Sequence, residues 1–491
     1  MSEAGESAAL EERATQVRRT AAVDGREITY TARAETLVLR HDPDNPIGDV
    51  AGLAPGQPLA EIFVTSYTLD GGDGAAGRPV TFAFNGGPGS SSAWLHLGLL
   101  GPRRMPVTAG RTIPPFALID NEFSLLSESD IVLIDPVSTG FSRIAPGVDV
   151  ARFLDVEPDV QLVAAAILRW IAANGRWLSP KYILGESYGG IRGPLLVRHL
   201  QARHNVFPSG LILISPALDY GALRFHPGND LPCMTFLPTY AAAGWFHRGG
   251  AEGGAAALHA RVAEAEAFAS SDYALALLHG DRLSAAARGE VARRIAGLTG
   301  LAPEFVAHAN LRISEPRFRR ELLKDRRQLI GRADARFTAI DSDPTGAPIT
   351  PDDDASVYIV VGAPYAAALN AYVRDDLGHA PQRRYEIFHP TVKNEWKYAA
   401  WRNRYVNVGE ALRTEICRNP RLRVYVATGL FDLATPHFQA DYALDHLGLD
   451  ASQRAAITTA RFDAGHMMYI HDESLARLAR DLRAFVRSGG E

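Results

Sequence analysis

Short, uninterrupted apolar runs recur through the first half of the chain, each closed by glycine, proline or a polar cluster. Val80–Phe84 (VTFAF), Asp130–Asp135 (DIVLID), Tyr182–Leu184 and Leu211–Ser215 (LILIS) show no polar alternation, the pattern of strands buried on both faces. Helical segments are expected between and after them, over about Glu157–Asn174 and Leu195–His204. Strand, helix and strand in alternation predict parallel βαβ units. Upstream, Glu27–Ala32, Ala34–Leu39 and Ala60–Leu69 read as strands of an antiparallel hairpin set, with Gly71–Gly74 as a turn before the VTFAF run.

The texture changes beyond Asp219. Up to about Arg384 the chain is rich in alanine and arginine, with short helical patterns at Ala255–Phe268, Arg288–Leu298, Pro303–Ala309 and Pro364–Leu377, and a Pro/Asp-rich loop at Asp341–Asp354. The sheet pattern then returns as a strand at Arg421–Thr428, a helix at Gln439–His446, a strand at Ala456–Phe462 and a last helix at Glu473–Arg487. The expected organisation is a flexible tail (1–24), an α/β core in two pieces (25–218 and 385–491) and an inserted, mostly helical cap (219–384). The core is expected to be a mixed, mainly parallel sheet flanked by helices.

The apolar fraction of 46% and charged fraction of 22% are those of a globular protein. A net charge of −5 with both signs interspersed argues against a nucleic-acid or anionic-membrane partner. Two cysteines, Cys233 and Cys417, allow one bridge at most and no disulfide framework. The N-terminal stretch lacks an apolar core of signal type, and no run is long enough to span a bilayer, so a cytoplasmic location is expected.

Candidate chemistry enters at Gly185-Glu186-Ser187-Tyr188-Gly189-Gly190, which follows a strand and precedes a helix. A serine on such a sharp turn has its hydroxyl pushed clear of the sheet, which makes Ser187 the candidate nucleophile. A serine hydroxyl needs a base to take its proton, and the base needs a carboxylate to fix its tautomer. Asp432 and His466 follow the last two strands in the order this architecture requires, with Gly429 and Gly465 allowing tight turns. Alone, Asp432 reads better as a helix cap, and His437 and His471 compete with His466. Ser187 and Asp432 lie 432 − 187 = 245 positions apart, more than two or three βα units require, which supports the insertion. A second glycine-rich loop, Asn85-Gly86-Gly87-Pro88-Gly89-Ser90-Ser91-Ser92, ends the VTFAF strand and is the natural second half of an oxyanion hole. No histidine–carboxylate group stands out at metal-ligand spacing, so neither metal nor cofactor is expected.

These stretches, with Asp135-Pro136-Val137-Ser138-Thr139-Gly140-Phe141-Ser142 and Gly465-His466-Met467, resemble the serine carboxypeptidases, peptidase family S10. The resemblance implies an α/β-hydrolase fold and removal of C-terminal residues from peptide substrates. It implies an oxyanion hole from the N–H groups of Gly87 and Tyr188. It further implies that Asn85, Gly86 and Glu186 hold the substrate carboxylate and that Met467 lines the pocket for the departing residue. A carboxyl accompanies a carboxylate only when one of them is protonated, so Glu186 would carry a proton when substrate binds. Two departures stand out: Leu99 occupies the place of the family's second glutamate, and Ser90 that of a cysteine. The same triad would also serve an esterase, amidase or acyltransferase acting on small molecules. A lyase and a non-catalytic binding protein are the remaining alternatives.

Overall fold

The computed structural model describes residues 10–48, 51–71, 77–107, 114–344, 346, 349, 354 and 361–489. Nine strands and one two-residue strand form a single sheet: β1 (Arg13–Val23), β2 (Arg26–Arg40), β3 (Pro58–Leu69), β4 (Val80–Phe84), β5 (Asp130–Ile134), β6 (Lys181–Glu186), β7 (Gly210–Ile214), β8 (Arg423–Gly429) and β9 (Ile457–Phe462), with Arg143–Ile144 alongside β3. Their spatial order is β1-β2-β3-β5-β4-β6-β7-β8-β9. From β5 to β9 all neighbours run parallel, while β1, β2 and β3 form an antiparallel flank. Strands β4 to β7 are buried at every position, which is why their sequences show no polar alternation. The mixed, mainly parallel sheet expected from the apolar runs is present, with its carboxyl ends opening along one edge.

The expected flexible tail over 1–24 is corrected by β1, which pairs with β2 from Arg13 opposite Thr36 to Val23 opposite Arg26. Ala21 and Val23 are buried, while Arg18 and Arg19 stay exposed. An edge strand with charged outward positions lacks an apolar run, and its order comes from a partner strand that local reading does not supply. Residues 1–9 lie outside the described residues, as do 72–74 of the expected turn and half of the expected loop over 341–354. The two strands expected within 27–39 are one continuous strand, β2.

Helix α1 (Val156–Ala173) is capped by the Asp155 carboxylate, which accepts the Val156 N–H. Helix α2 (Gly189–His204) begins six residues before the expected start, despite three glycines and Pro194 in its first half. Those residues are poor helix formers, but small size lets the helix press onto the sheet: a Cβ on Gly193 would stand 3.1 Å from Leu211. Packing overrides propensity here.

Between β7 and β8 the chain makes a largely helical excursion. Leu231–His247, Gly254–Ala269 and Ala285–Thr299 share a hydrophobic cluster that includes Phe236, Val262 and Ile295, and it meets Leu430 and Phe431 after β8. Residues 361–385 pack elsewhere: Tyr365, Leu369, Tyr372 and Tyr385 join the cluster beneath the sheet with Tyr67 and Leu99. The excursion thus contributes side chains to the core that supports the site. No helix among the described residues is long and apolar enough to cross a membrane.

Candidate active site

Asn85, Asp135, Ser187, Ser215, Asp432 and His466 all follow the carboxyl ends of parallel strands, the edge where open α/β sheets bind ligands. Ser187 sits between β6 and α2 with φ +61°, a left-handed conformation that costs a non-glycine residue about 1–3 kcal/mol. Its surroundings hold it there. The Ser187 N–H donates to the Ile214 carbonyl at 3.0 Å, and its own carbonyl accepts the N–H groups of Gly190 (2.8 Å) and Ala217 (2.9 Å).

Asp432 is fully buried and its four acceptor positions are used. Oδ1 accepts the backbone N–H groups of Ala434 (2.8 Å) and Thr435 (2.9 Å), and Oδ2 accepts the Thr435 hydroxyl at 2.8 Å. Oδ2 also meets His466 Nδ1 at 2.7 Å. Burial pulls the His466 pKa down, but the charge and hydrogen bond of Asp432, with Glu186 adding charge, lift it above 6.5. Ser215, one position past β7, ties the groups together: its hydroxyl donates to the His466 carbonyl (2.8 Å), and its carbonyl accepts the Thr435 hydroxyl (2.8 Å). Asp432 and His466 are therefore joined directly. Among the described residues Ser187 reaches them through neighbouring backbone, without a hydrogen bond from its hydroxyl to the imidazole.

The glycine loop closes on this elbow. A Cβ on Gly86 would lie 2.4 Å from the Tyr188 nitrogen, so only glycine lets the two loops come this close. Among the described residues neither the Gly87 nor the Tyr188 N–H donates a backbone hydrogen bond. Asp135 braces the loop from the neighbouring strand: its Oδ1 accepts the Ser92 N–H at 2.9 Å, and a Cβ on Gly140 would collide with Oδ2 at 1.7 Å. Burial, partly offset by that N–H, raises the Asp135 carboxyl to about 6. Arg192 of α2 holds the other side, donating to the Asn85 carbonyl at 2.7 Å while paired with Asp159 of α1.

Glu186, only 3% exposed, lies beneath the elbow. Burial drives its carboxyl up to about 7, against the lowering effects of His466, of the Tyr469 hydroxyl at 2.6 Å and of Asn85. Leu99 is buried in a wide helical turn over His96–Leu100, and its carbonyl accepts from Asn121 Nδ2. Met467 is buried directly after His466, and Ser90 accepts the indole N–H of Trp94 at 2.8 Å.

Several functional neighbours had no local sequence signal. The inserted segment 332–335 clamps both loops of the pair: Ala333 O accepts the His466 N–H, Arg332 O accepts the Leu433 N–H, and Ala335 donates to Phe431 O. Asp334 Oδ2 accepts the Gly465 N–H at 3.1 Å. Burial raises its pKa, but Arg336 and His471 outweigh that and hold the carboxyl far below the usual range. His471 is thereby occupied as an Asp334 partner (3.2 Å), and His437 faces Glu266 (2.9 Å), so neither rival lies with Asp432. Asp334→Asn should lower kcat about tenfold or more, since small displacements of reacting groups have large effects, with KM changing less. Steady-state kinetics alongside a thermal melt checks this; an unaltered kcat would show that the clamp is dispensable.

Among the described residues one carboxylate–histidine group, Glu266, His437 and Asp441, brings its polar atoms within 4.8 Å of one another, a cluster that the sequence reading did not single out. Arg461 already sits on it, bonded to Glu266 (2.9 Å) and Asp441 (2.8 Å). Cys233 is buried and Cys417 exposed, and both are free thiols.

The profile of the family described as serine carboxypeptidase matches residues 67–212, which contain the glycine loop, the Asp135 motif and the elbow. Through that segment the chain is similar to the serine carboxypeptidase family. The chain is a hydrolase with the α/β-hydrolase fold. Kex1, a prohormone-processing carboxypeptidase from Saccharomyces cerevisiae, matches in structure over 93% of this chain and 91% of its own, at 15% identity and TM-score 0.54. A proline iminopeptidase from Mycobacterium smegmatis aligns over 96% and 99% at 14% identity, with TM-score 0.38. No curated protein matches this chain by sequence.

Proposed function

We propose that the protein is a serine carboxypeptidase in which Ser187, His466 and Asp432 form the catalytic triad. The observation that carries this reading is the buried Asp432–His466 pair at 2.7 Å, on the same sheet edge as the Ser187 elbow. The imidazole takes the proton of Ser187 Oγ as that oxygen attacks the last peptide carbonyl; such contacts tighten when substrate arrives. The Gly87 and Tyr188 N–H groups receive the developing oxyanion, worth about 3 kcal/mol per donor. His466 then protonates the leaving nitrogen, the free amino acid departs, and water hydrolyses the acyl-enzyme. Asn85, Gly86 and Glu186 hold the terminal carboxylate, and Met467 borders the leaving side chain. Incubation with a mixed peptide library should release single C-terminal residues, read by mass spectrometry. Internal cleavage, or turnover of small esters alone, would overturn the proposal.

The pH dependence follows from two groups. His466 must be neutral to act as base, so kcat/KM should rise with pH through a value above 6.5. Glu186 must be protonated beside a carboxylate, so activity on free-acid peptides should fall as pH passes about 7. C-terminal amides should show only the rising limb, and Glu186→Gln should remove the falling limb for free acids. Identical pH–rate profiles for acid and amide would take the carboxylate role away from Glu186.

A further inference from the structure

Glu186 has company that no sequence motif announced. The Tyr469 hydroxyl, three residues past His466, donates to Oε2 at 2.6 Å. Its ring leans on Gly98: a Cβ there would lie 2.5 Å from a Tyr469 ring carbon and 3.1 Å from the Tyr365 hydroxyl. Tyr365 arrives from the helix Ala363–Ala371, in the inserted stretch, and senses the charge of Glu186. Two phenols from distant parts of the chain thus meet beside one buried carboxyl. Both rings belong to the same buried cluster as Leu99, which offers no polar side chain of its own.

Two donors beside Glu186 are under-used. Tyr365 Oη is buried without a hydrogen-bond partner, and Asn85 Nδ2, though close enough to Glu186 to lower its pKa, makes no hydrogen bond of ordinary length. Buried donors in that state are costly, and each such group calls for an explanation. A carboxylate entering beside Glu186 would satisfy both.

Resting on the carboxypeptidase reading above, we propose that Tyr365, together with Asn85, binds the terminal carboxylate of the substrate, and that Tyr469 positions Glu186 next to it. A phenol suits this work because it donates a hydrogen bond without first needing a proton. Burial raises both phenols further above their ordinary range, so both remain protonated at working pH. The groups facing Glu186 are His466, Asp432, Tyr469 and Tyr365, with Arg104 facing Tyr365 in turn. Within this grip Glu186 is therefore the one carboxyl whose titration controls binding.

The test compares kcat and KM for a peptide and its C-terminal amide in the wild type, Tyr365→Phe and Tyr469→Phe, with thermal melts on each protein. Tyr365→Phe should cut the acid-to-amide ratio of kcat/KM about tenfold or more, mainly through KM for the acid. Tyr469→Phe removes a donor that favours ionised Glu186, so the falling limb for the free acid should move to higher pH. A wild type that prefers the acid, with that preference intact in Tyr365→Phe and the limb unmoved in Tyr469→Phe, overturns the phenol assignment alone. A wild type that releases no C-terminal residue from either peptide overturns the carboxypeptidase reading beneath it.

Discussion

Replacing Ser187 with alanine should reduce kcat by roughly 10⁶-fold, the scale found where a serine and its base act as one unit. The elbow offers no substitute nucleophile at that position, and the neighbouring Ser215 hydroxyl is committed to the His466 carbonyl. Asp432→Asn should cost roughly 10⁴-fold, because an amide in place of the carboxylate favours the wrong imidazole tautomer. The double variant should be hardly worse than Ser187→Ala alone, since a triad is not a sum of parts. Single-turnover kinetics with a chromogenic substrate would measure all three. Fluorophosphonate labelling followed by peptide mapping should mark Ser187 in the wild type and nothing at that position in the alanine variant. Turnover surviving in Ser187→Ala at more than a hundredth of the wild-type rate would end the triad assignment.

Asp159→Ala should destabilise the fold by about 3–5 kcal/mol, as expected when one partner of a buried ion pair is removed. Both Asp159 and Arg192 are 1% exposed, and the guanidinium meets the two carboxylate oxygens at 2.7 and 3.1 Å. Without Asp159 an uncompensated charge is left between α1 and α2. Replacing both residues with leucine should recover much of the stability, because a well-packed apolar pair is often no worse than a buried ion pair. Activity should not recover with it. Arg192 also anchors the Asn85 carbonyl at 2.7 Å, so the double variant leaves the glycine loop without that tie. Urea unfolding and kcat, measured on the same preparations, separate the two effects. A loss below about 1 kcal/mol in Asp159→Ala would mean that the pair contributes little.

Much of the core was legible because burial on both faces of a parallel sheet leaves a continuous apolar run. Val80–Phe84, Asp130–Ile134 and Gly210–Ile214 lie within a residue of their expected positions. Helix α2 was legible only in its second half, since Gly189 to Pro194 are poor helix formers until the sheet packs beneath them. Strand β1 was missed for a related reason: an edge strand draws its order from its neighbour. In the site, Ser187, Asp432 and His466 each follow a strand and so carry a local signal. Asp334, Ser215 and Tyr469 act through contacts across 131 to 283 positions and carry none.

By itself the sequence determined the strand–turn–helix unit that lifts Ser187 out of the sheet, the order in which Asp432 and His466 follow it, and the glycines that allow two loops to touch. Those features depend on residues a few positions apart, where backbone sterics and hydrophobic burial act locally. Only the tertiary structure decided that Asp432 and His466 meet at 2.7 Å, that an inserted segment clamps them, and that the Tyr469 hydroxyl reaches the buried Glu186 carboxyl. Hydrogen bonds and desolvation act over ångströms in space, and the distance between two residues along the chain does not encode whether their side chains arrive within that range.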